Sequence, residues 1–206
     1  MKFLSDIQLH LEDVYGAPTG LNALDFVRST DNFSELGEMI VHQSQSSEDL
    51  DIALLFDRDV LDACGHALGE TQTDEPTNVS PSDALSVSFE ELSHFVYLSF
   101  NHQRGRDITS LELEIQSEVD RILLAFHGPH RVNREYAEAL FVDLCEKKYS
   151  QNLKSHDRYE TARLCAFHFL RLIGKHPQAW CQSEFDQLRR FFHNDLSGKI
   201  YLSRNM

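Results

Sequence analysis

The sequence predicts an α+β fold that is mainly helical, with a small N-terminal antiparallel sheet and a helix, followed by a C-terminal helical bundle. Residues 23–56 hold three short segments rich in β-branched and large apolar residues, which is typical of strands. Beyond residue 88, apolar residues recur at helical spacing between breaks that contain Gly or Pro. We therefore expect a small α+β unit at residues 1–68, a polar loop or linker at 69–87 and a helical bundle at 88–206.

The first unit is predicted to open with a helix, because apolar residues recur at helical spacing from Phe3 to Val14 and Gly16 then favours a helix end. Three strands are expected at residues 23–29, 38–43 and 49–56. The stretch QSSED at residues 45–49 is a plausible hairpin loop between the last two. A short helix at about residues 59–68 would close the unit.

The second unit is predicted to consist of helices joined by short connections, which favour antiparallel neighbours in a bundle. The helices are expected at residues 89–104, 109–126, 134–149, 157–175 and 184–193. Two of them begin with an S/T-x-x-E pattern, Ser88 to Glu91 and Thr109 to Glu112. In such a capping box each side chain hydrogen bonds to the other residue's backbone amide. Glu91 and Glu112 are therefore interpreted as helix caps.

Composition excludes several classes of function. The chain has 206 residues, of which 33 are acidic and 19 are basic, and its net charge of −14 makes nucleic acid an unfavourable partner. No apolar run approaches the ~20 residues that span a bilayer, and the start MKFLSDIQLHLED lacks the apolar core of a signal peptide. The expectation is a cytoplasmic protein without a membrane partner. Four cysteines without a CxxC pair argue against a thiolate zinc site.

A polar strip on the helix around FEELSHFVYLSF, residues 89–100, is the main candidate for chemistry. Glu90 and His94 lie one turn apart, and a carboxylate and an imidazole at that spacing can bind one divalent ion. On the next helix, Glu114 and Glu118 also lie one turn apart, where their charges repel. A shared cation would relieve this repulsion, but so would Arg121 alone. The four residues Glu90, His94, Glu114 and Glu118 are the candidate ligands for iron, manganese or zinc, and the alternative is a helical ion pair or a satisfied, partly buried histidine.

One E-x-x-H motif, Glu91 to His94, resembles the motif of the ferritin-like di-iron proteins. Those proteins use two such motifs and two further glutamates from four helices. This chain holds no second E-x-x-H. The order of an N-terminal helix followed by short strands also resembles the layout of small acidic secretion chaperones.

A second cluster, HGPHRVNRE at residues 127–135, concentrates His127, His130, Arg131 and Arg134 around a turn. Such a patch is able to bind a phosphate or a partner's carboxylates. The favoured interpretation is structural, because cations beside a helix C-terminus complement its dipole and Asn133 is a suitable cap for the next helix.

No nucleophile elbow or catalytic triad is present in the sequence. The favoured function is therefore a non-catalytic protein-interaction, adaptor or chaperone-like module whose partner is another protein. The alternative is a helical-bundle metalloprotein with a carboxylate/histidine site, for which an oxidoreductase or a hydrolase would be the expected kind of enzyme.

Overall fold

The fold is α+β and mainly helical, with a small sheet at its N-terminal side. The computed structural model describes residues 1–31, 36–43, 50–70, 77–130, 133–146 and 158–205. Within these ranges there are three strands, which are β1 (Val27–Thr30), β2 (Gly37–Gln43) and β3 (Leu50–Asp57). The helices are α1 (Lys2–Tyr15), α2 (Arg58–Ala67), α3 (Pro81–His102), α4 (Ser110–His127), α5 (Arg134–Glu146), α6 (Arg158–Ile173), α7 (Gln182–Phe192) and α8 (Leu196–Asn205).

The sheet is mixed, and the prediction of an antiparallel sheet is wrong for one of its two pairings. Strand β3 lies in the centre, antiparallel to β2 and parallel to β1. Strand propensity is local and does not tell which strands become neighbours, so the sequence pattern left this pairing undetermined. The first strand also begins later than expected, because residues Ala23–Asp25 form a 3₁₀ turn that the side chain of Asn22 caps. The predicted hairpin loop at residues 45–49 lies outside the described residues. Strand β3 starts at the residue that follows it.

Helix α3 begins inside the predicted linker. Ser80 is its N-cap, with the Ser80 Oγ accepting a hydrogen bond from the Asp83 amide at 3.1 Å, and Pro81 occupies the first turn. Proline is favourable at this position because the missing N–H would have no helical partner. The capping box predicted for Ser88 and Glu91 is therefore wrong: Ser88 is buried in mid-helix and donates to the carbonyl of Ala84. The box at Thr109 and Glu112 is present.

A buried apolar cluster joins the sheet, α1 and the later helices. Tyr15 at the end of α1 stacks on Phe192 of α7 with ring centroids 4.2 Å apart, and Leu188 and Phe192 are both buried. The division at residues 69–87 stays a prediction. Among the described helices, none is long and apolar enough to cross a membrane.

Helix α8 was not anticipated from the sequence. Gly198 and the buried Lys199 interrupt its apolar pattern, and both lower the expectation of an amphipathic helix. Asp195 gave a local signal, since its side chain accepts a hydrogen bond from the Gly198 amide at 2.7 Å, as an N-cap does.

Candidate metal centre

The structure brings three of the four predicted ligands together. Glu90 and His94 lie on successive turns of α3, and Glu114 lies on α4, which packs against α3. One ligand atom from each side chain lies within 4.8 Å of the other two. This spacing places a histidine nitrogen and two carboxylate oxygens around one point.

Glu118 does not join this group. Its Oε1 atom lies 3.5 Å from Nη1 of Arg121, which is three residues later on α4. Arg121, and not a shared cation, therefore compensates the charge of Glu118, while Glu114 faces α3.

Glu91 belongs to the site, although sequence reasoning assigned it to a cap. It is buried with 6% exposure, and its Oε2 lies 3.7 Å from Nδ1 of His94. The other ring nitrogen, Nε2, lies 3.9 Å from Oε2 of Glu114. Each nitrogen of the imidazole therefore faces a different carboxylate. The E-x-x-H spacing of Glu91 and His94 is the sequence signal for this contact, because residues three apart lie on one side of the helix.

Two buried polar atoms at the centre lack hydrogen-bond partners within the described part of the chain. They are Nε2 of His94 and Oε2 of Glu91. Leaving a buried polar atom unsatisfied costs about 1–3 kcal/mol, and such atoms in native proteins call for an explanation such as an ion. The Nε2 atom of His94 is the ring nitrogen that faces Glu114.

The ionisable groups influence one another strongly. Burial lowers the pKa of His94, but the carboxylates of Glu91, Glu90 and Glu114 outweigh it, and the net shift is upward. Burial raises the pKa of Glu90 and Glu114, and the nearby His94 offsets only part of this effect. Without a cation the centre therefore holds protons more tightly than the free side chains would.

The centre opens into a cavity of about 610 Å³ between β2, α3, α4 and the start of α6. Gly37 of β2 lies so close to α3 that a Cβ atom there would come within 2.5 Å of the Val87 side chain. Arg158 lines the cavity as well, with Nη2 at 3.2 Å from Oε1 of Glu114. A small polar ligand has room to reach the three candidate ligand residues from this side.

The second cluster supports its structural interpretation. His127 hydrogen bonds to the Pro177 carbonyl at 2.7 Å and stacks on Trp180. His130 lies 3.4 Å from Asp6, and Arg134 lies 3.7 Å from Glu138. Arg131 lies outside the described residues. The Asn133 side chain accepts from the Glu135 amide at 2.8 Å, as a cap does.

Comparison with known proteins does not add a family to this picture. No protein-family model, no curated protein and no solved structure matches the chain.

Proposed function

We propose that the protein binds one divalent metal ion, either iron, manganese or zinc, through Glu90, His94 and Glu114. The observation that carries the proposal is the convergence of their ligand atoms within 4.8 Å of one another, on two packed helices. Nε2 of His94 is the metal-binding nitrogen in this arrangement. Glu91 is the carboxylate on the Nδ1 side, at 3.7 Å, and it would orient the ring by closing to hydrogen-bond distance when the metal binds, since a ligating histidine usually directs its other nitrogen to a carboxylate or a carbonyl.

The charge of the centre fits a divalent ion. The carboxylates of Glu90, Glu91 and Glu114 carry three negative charges when ionised, and Arg158 beside Glu114 contributes one positive charge. With a neutral His94 the sum is −2. A divalent cation therefore neutralises the group, whereas without it protons must do so, which agrees with the raised pKa values of His94, Glu90 and Glu114.

The ligand atoms are farther apart than they would be around a bound ion. Bonds of about 2.0–2.2 Å from a zinc ion to nitrogen and oxygen place neighbouring ligand atoms roughly 3.0–3.5 Å apart. The atoms Nε2 of His94 and Oε2 of Glu114 are now 3.9 Å apart. The other ligand atoms lie up to 4.8 Å apart, so the side chains must move closer together when an ion binds.

Three protein ligands leave at least one coordination position for water or a small molecule, as in catalytic rather than structural metal sites. Glu90, His94 and Glu114 all line the cavity, which would give such a molecule access to the ion. A single ion is favoured, since the group of Glu90, His94 and Glu114 is the only candidate cluster among the described residues. A bound ion there would polarise a ligand or lower the pKa of a bound water.

The test is metal analysis of protein purified without chelators and without a histidine-rich tag. The wild-type chain should carry or take up about one equivalent of metal, and His94→Ala and Glu114→Gln should lose it. Glu118→Gln is the matched control, because Glu118 lies on the same helix but pairs with Arg121. Chelation should also lower the melting temperature of the loaded wild type, since a ligand that binds only the folded state stabilises it.

Either of two results would overturn the proposal. One is a wild-type protein that binds none of the three metals when titrated with each of them. The other is stoichiometric metal retained by both His94→Ala and Glu114→Gln. The protein-interaction, adaptor or chaperone-like function stays a prediction from the sequence.

A further inference from the structure

Strand β2 is one edge of the three-stranded sheet that the described residues form. In the described part of the chain it pairs with β3 on one side only. It has seven residues, and the last four of them are exposed, with Ile40 at 44% and Val41 at 40% exposure. Exposed edge strands present unpaired backbone groups that can pair with another chain.

The opposite edge of the sheet differs in ways that discourage such pairing. Strand β1 has only four residues and carries Arg28. The Arg28 guanidinium donates to the backbone carbonyls of Asp25 and Val27 at 3.0 and 2.8 Å. Short length and a positive side chain are common protections of an edge strand. Strand β2, with the sequence GEMIVHQ, contains neither Lys nor Arg.

The sequence of β2 is complementary to itself in an antiparallel arrangement. If Ile40 of one copy faces Ile40 of another, Glu38 of each copy faces His42 of the other, and Met39 faces Val41. Three side chains of β2 point to the outer face of the sheet, namely those of Glu38, Ile40 and His42. In the register with β3 they lie opposite Leu55, Ala53 and Asp51, which are on that face, and residues directly opposite each other share a face. An apolar pair at the centre is a favourable cross-strand pair, and so is a carboxylate opposite an imidazole. His42 already has one carboxylate beside it within its own chain, since its Nδ1 lies 3.9 Å from Oδ2 of Asp51, and Glu38 of the second copy would approach the same ring from the other side of β2.

We propose that β2 binds the β2 strand of a second copy of this chain, antiparallel and centred on Ile40, so that two three-stranded sheets join into one of six strands. The interface is isologous, as the commonest dimers are. Neither Ile40 nor His42 is among the candidate metal ligands, although Glu38 and Val41 of β2 line the cavity beside the centre.

The test is the oligomeric state of the full chain, measured by sedimentation over a wide range of concentration. The wild type should form a dimer. Ile40→Lys places two ammonium groups opposite each other at the centre of the pairing and should weaken the dimer by at least about tenfold. Val142→Lys is the matched control, because Val142 is a similarly exposed apolar residue, at 42%, on helix α5, and it should leave the dimer unchanged.

A charge exchange tests the register. His42→Glu alone sets two carboxylates opposite each other and should also weaken the dimer, whereas Glu38→His combined with His42→Glu restores opposite partners and should recover it. A wild type that is monomeric at every concentration would overturn the proposal. So would a dimer that both Ile40→Lys and His42→Glu leave intact.

Discussion

His94 is the residue on which the candidate metal centre depends most. A buried imidazole with a carboxylate at each nitrogen has two possible uses: it is either half of a buried ion pair or a metal ligand with an orienting partner. In the first case both carboxylates stabilise the protonated ring. In the second case Glu114 shares the ion with Nε2 while Glu91 holds Nδ1. These two roles of His94 predict different effects of replacing Glu91 on metal affinity.

Glu91→Gln should weaken metal binding by about 10- to 100-fold, which is the usual effect of losing a group that orients a histidine ligand. Glutamine keeps the shape of the side chain but is a poorer acceptor for Nδ1–H. Affinity is measured by competition with a chromophoric chelator, with Glu118→Gln as the control. Equal affinity in wild type and Glu91→Gln would show that Glu91 does not orient the ring.

Metal affinity should fall as the pH falls. The pKa of His94 is raised above its ordinary value of 6.5, and the pKa values of Glu90 and Glu114 are raised as well. A proton on any of them must leave before the metal binds. The loss of affinity should therefore set in at a pH above 6.5. Calorimetry in two buffers of different ionisation enthalpy measures the protons released, and an affinity that does not change with pH would contradict this expectation.

Helical spacing alone predicted that Glu90 and His94 act together, because residues four apart always share a face. It could not separate Glu114 from Glu118. Both lie on one strip of α4, and the choice between them depends on how α4 is rotated against α3. That rotation is set by the packing of buried side chains from the whole core, which a single helix does not encode.

At the scale of elements, the start of α3 decides where the polar segment ends. The cap is Ser80, with Pro81 in the first turn and Asp83 as the partner of the Ser80 hydroxyl. The sequence contains this signal as S-P-S-D. An S-x-x-E pattern eight residues later obscured it, since a serine followed three residues on by an acidic residue is a capping signal in both places.

Ser80→Ala should cost about 0.5–2 kcal/mol of stability through the lost cap. Ser82→Ala, two residues away on the same helix, is the control and should change stability little, since alanine favours the helix interior. Urea unfolding of the two variants measures the difference. A larger loss in Ser82→Ala than in Ser80→Ala would place the helix start elsewhere.

Two of the three strands were predictable from the sequence, but the pairing of the strands was not. Residues 38–43 and 49–56 lie within one residue of β2 and β3, because alternation and β-branched residues are local signals. The parallel pairing of β1 with β3 brings together residues 27 apart, as in Val27 opposite Leu54. Both strands contact α2, so this pairing depends on the assembled core and not on a local signal.

At the scale of the whole molecule, a buried polar network joins the first helix to the last. Asp120 of α4 accepts hydrogen bonds from Tyr15 of α1, from Ser93 of α3 and from Gln116. Gln116 in turn accepts from the ammonium group of Lys199 on α8. Asp120 has 1% exposure and Lys199 has none. The hydrogen bonds of this network connect the four helices α1, α3, α4 and α8. They lie at buried positions where an apolar side chain would need no hydrogen-bond partner.

The pH dependence of stability tests this network. Burial lowers the pKa of Lys199 to about 7, an effect that Asp120 partly offsets. Between about pH 7 and the ordinary lysine value of 10.5, the unfolded chain carries a proton on Lys199 and the folded chain does not. Stability from this group therefore rises with pH in that range.

Lys199→Met removes the titrating group and keeps most of the side-chain volume. The stability of Lys199→Met relative to wild type should therefore be highest near pH 7 and decrease towards pH 9, because only the wild type gains stability as the pH rises. Taking the difference between the two proteins cancels the titration of His94, which both retain. Lys175→Met is the control: Lys175 pairs with Glu184 at 2.8 Å, and its pKa is raised, so its charge is present in both states from pH 7 to 9 and its effect should not change with pH. Urea unfolding at pH 7, 8 and 9 measures all three proteins, and a constant difference between Lys199→Met and wild type would show that Lys199 stays charged in the core.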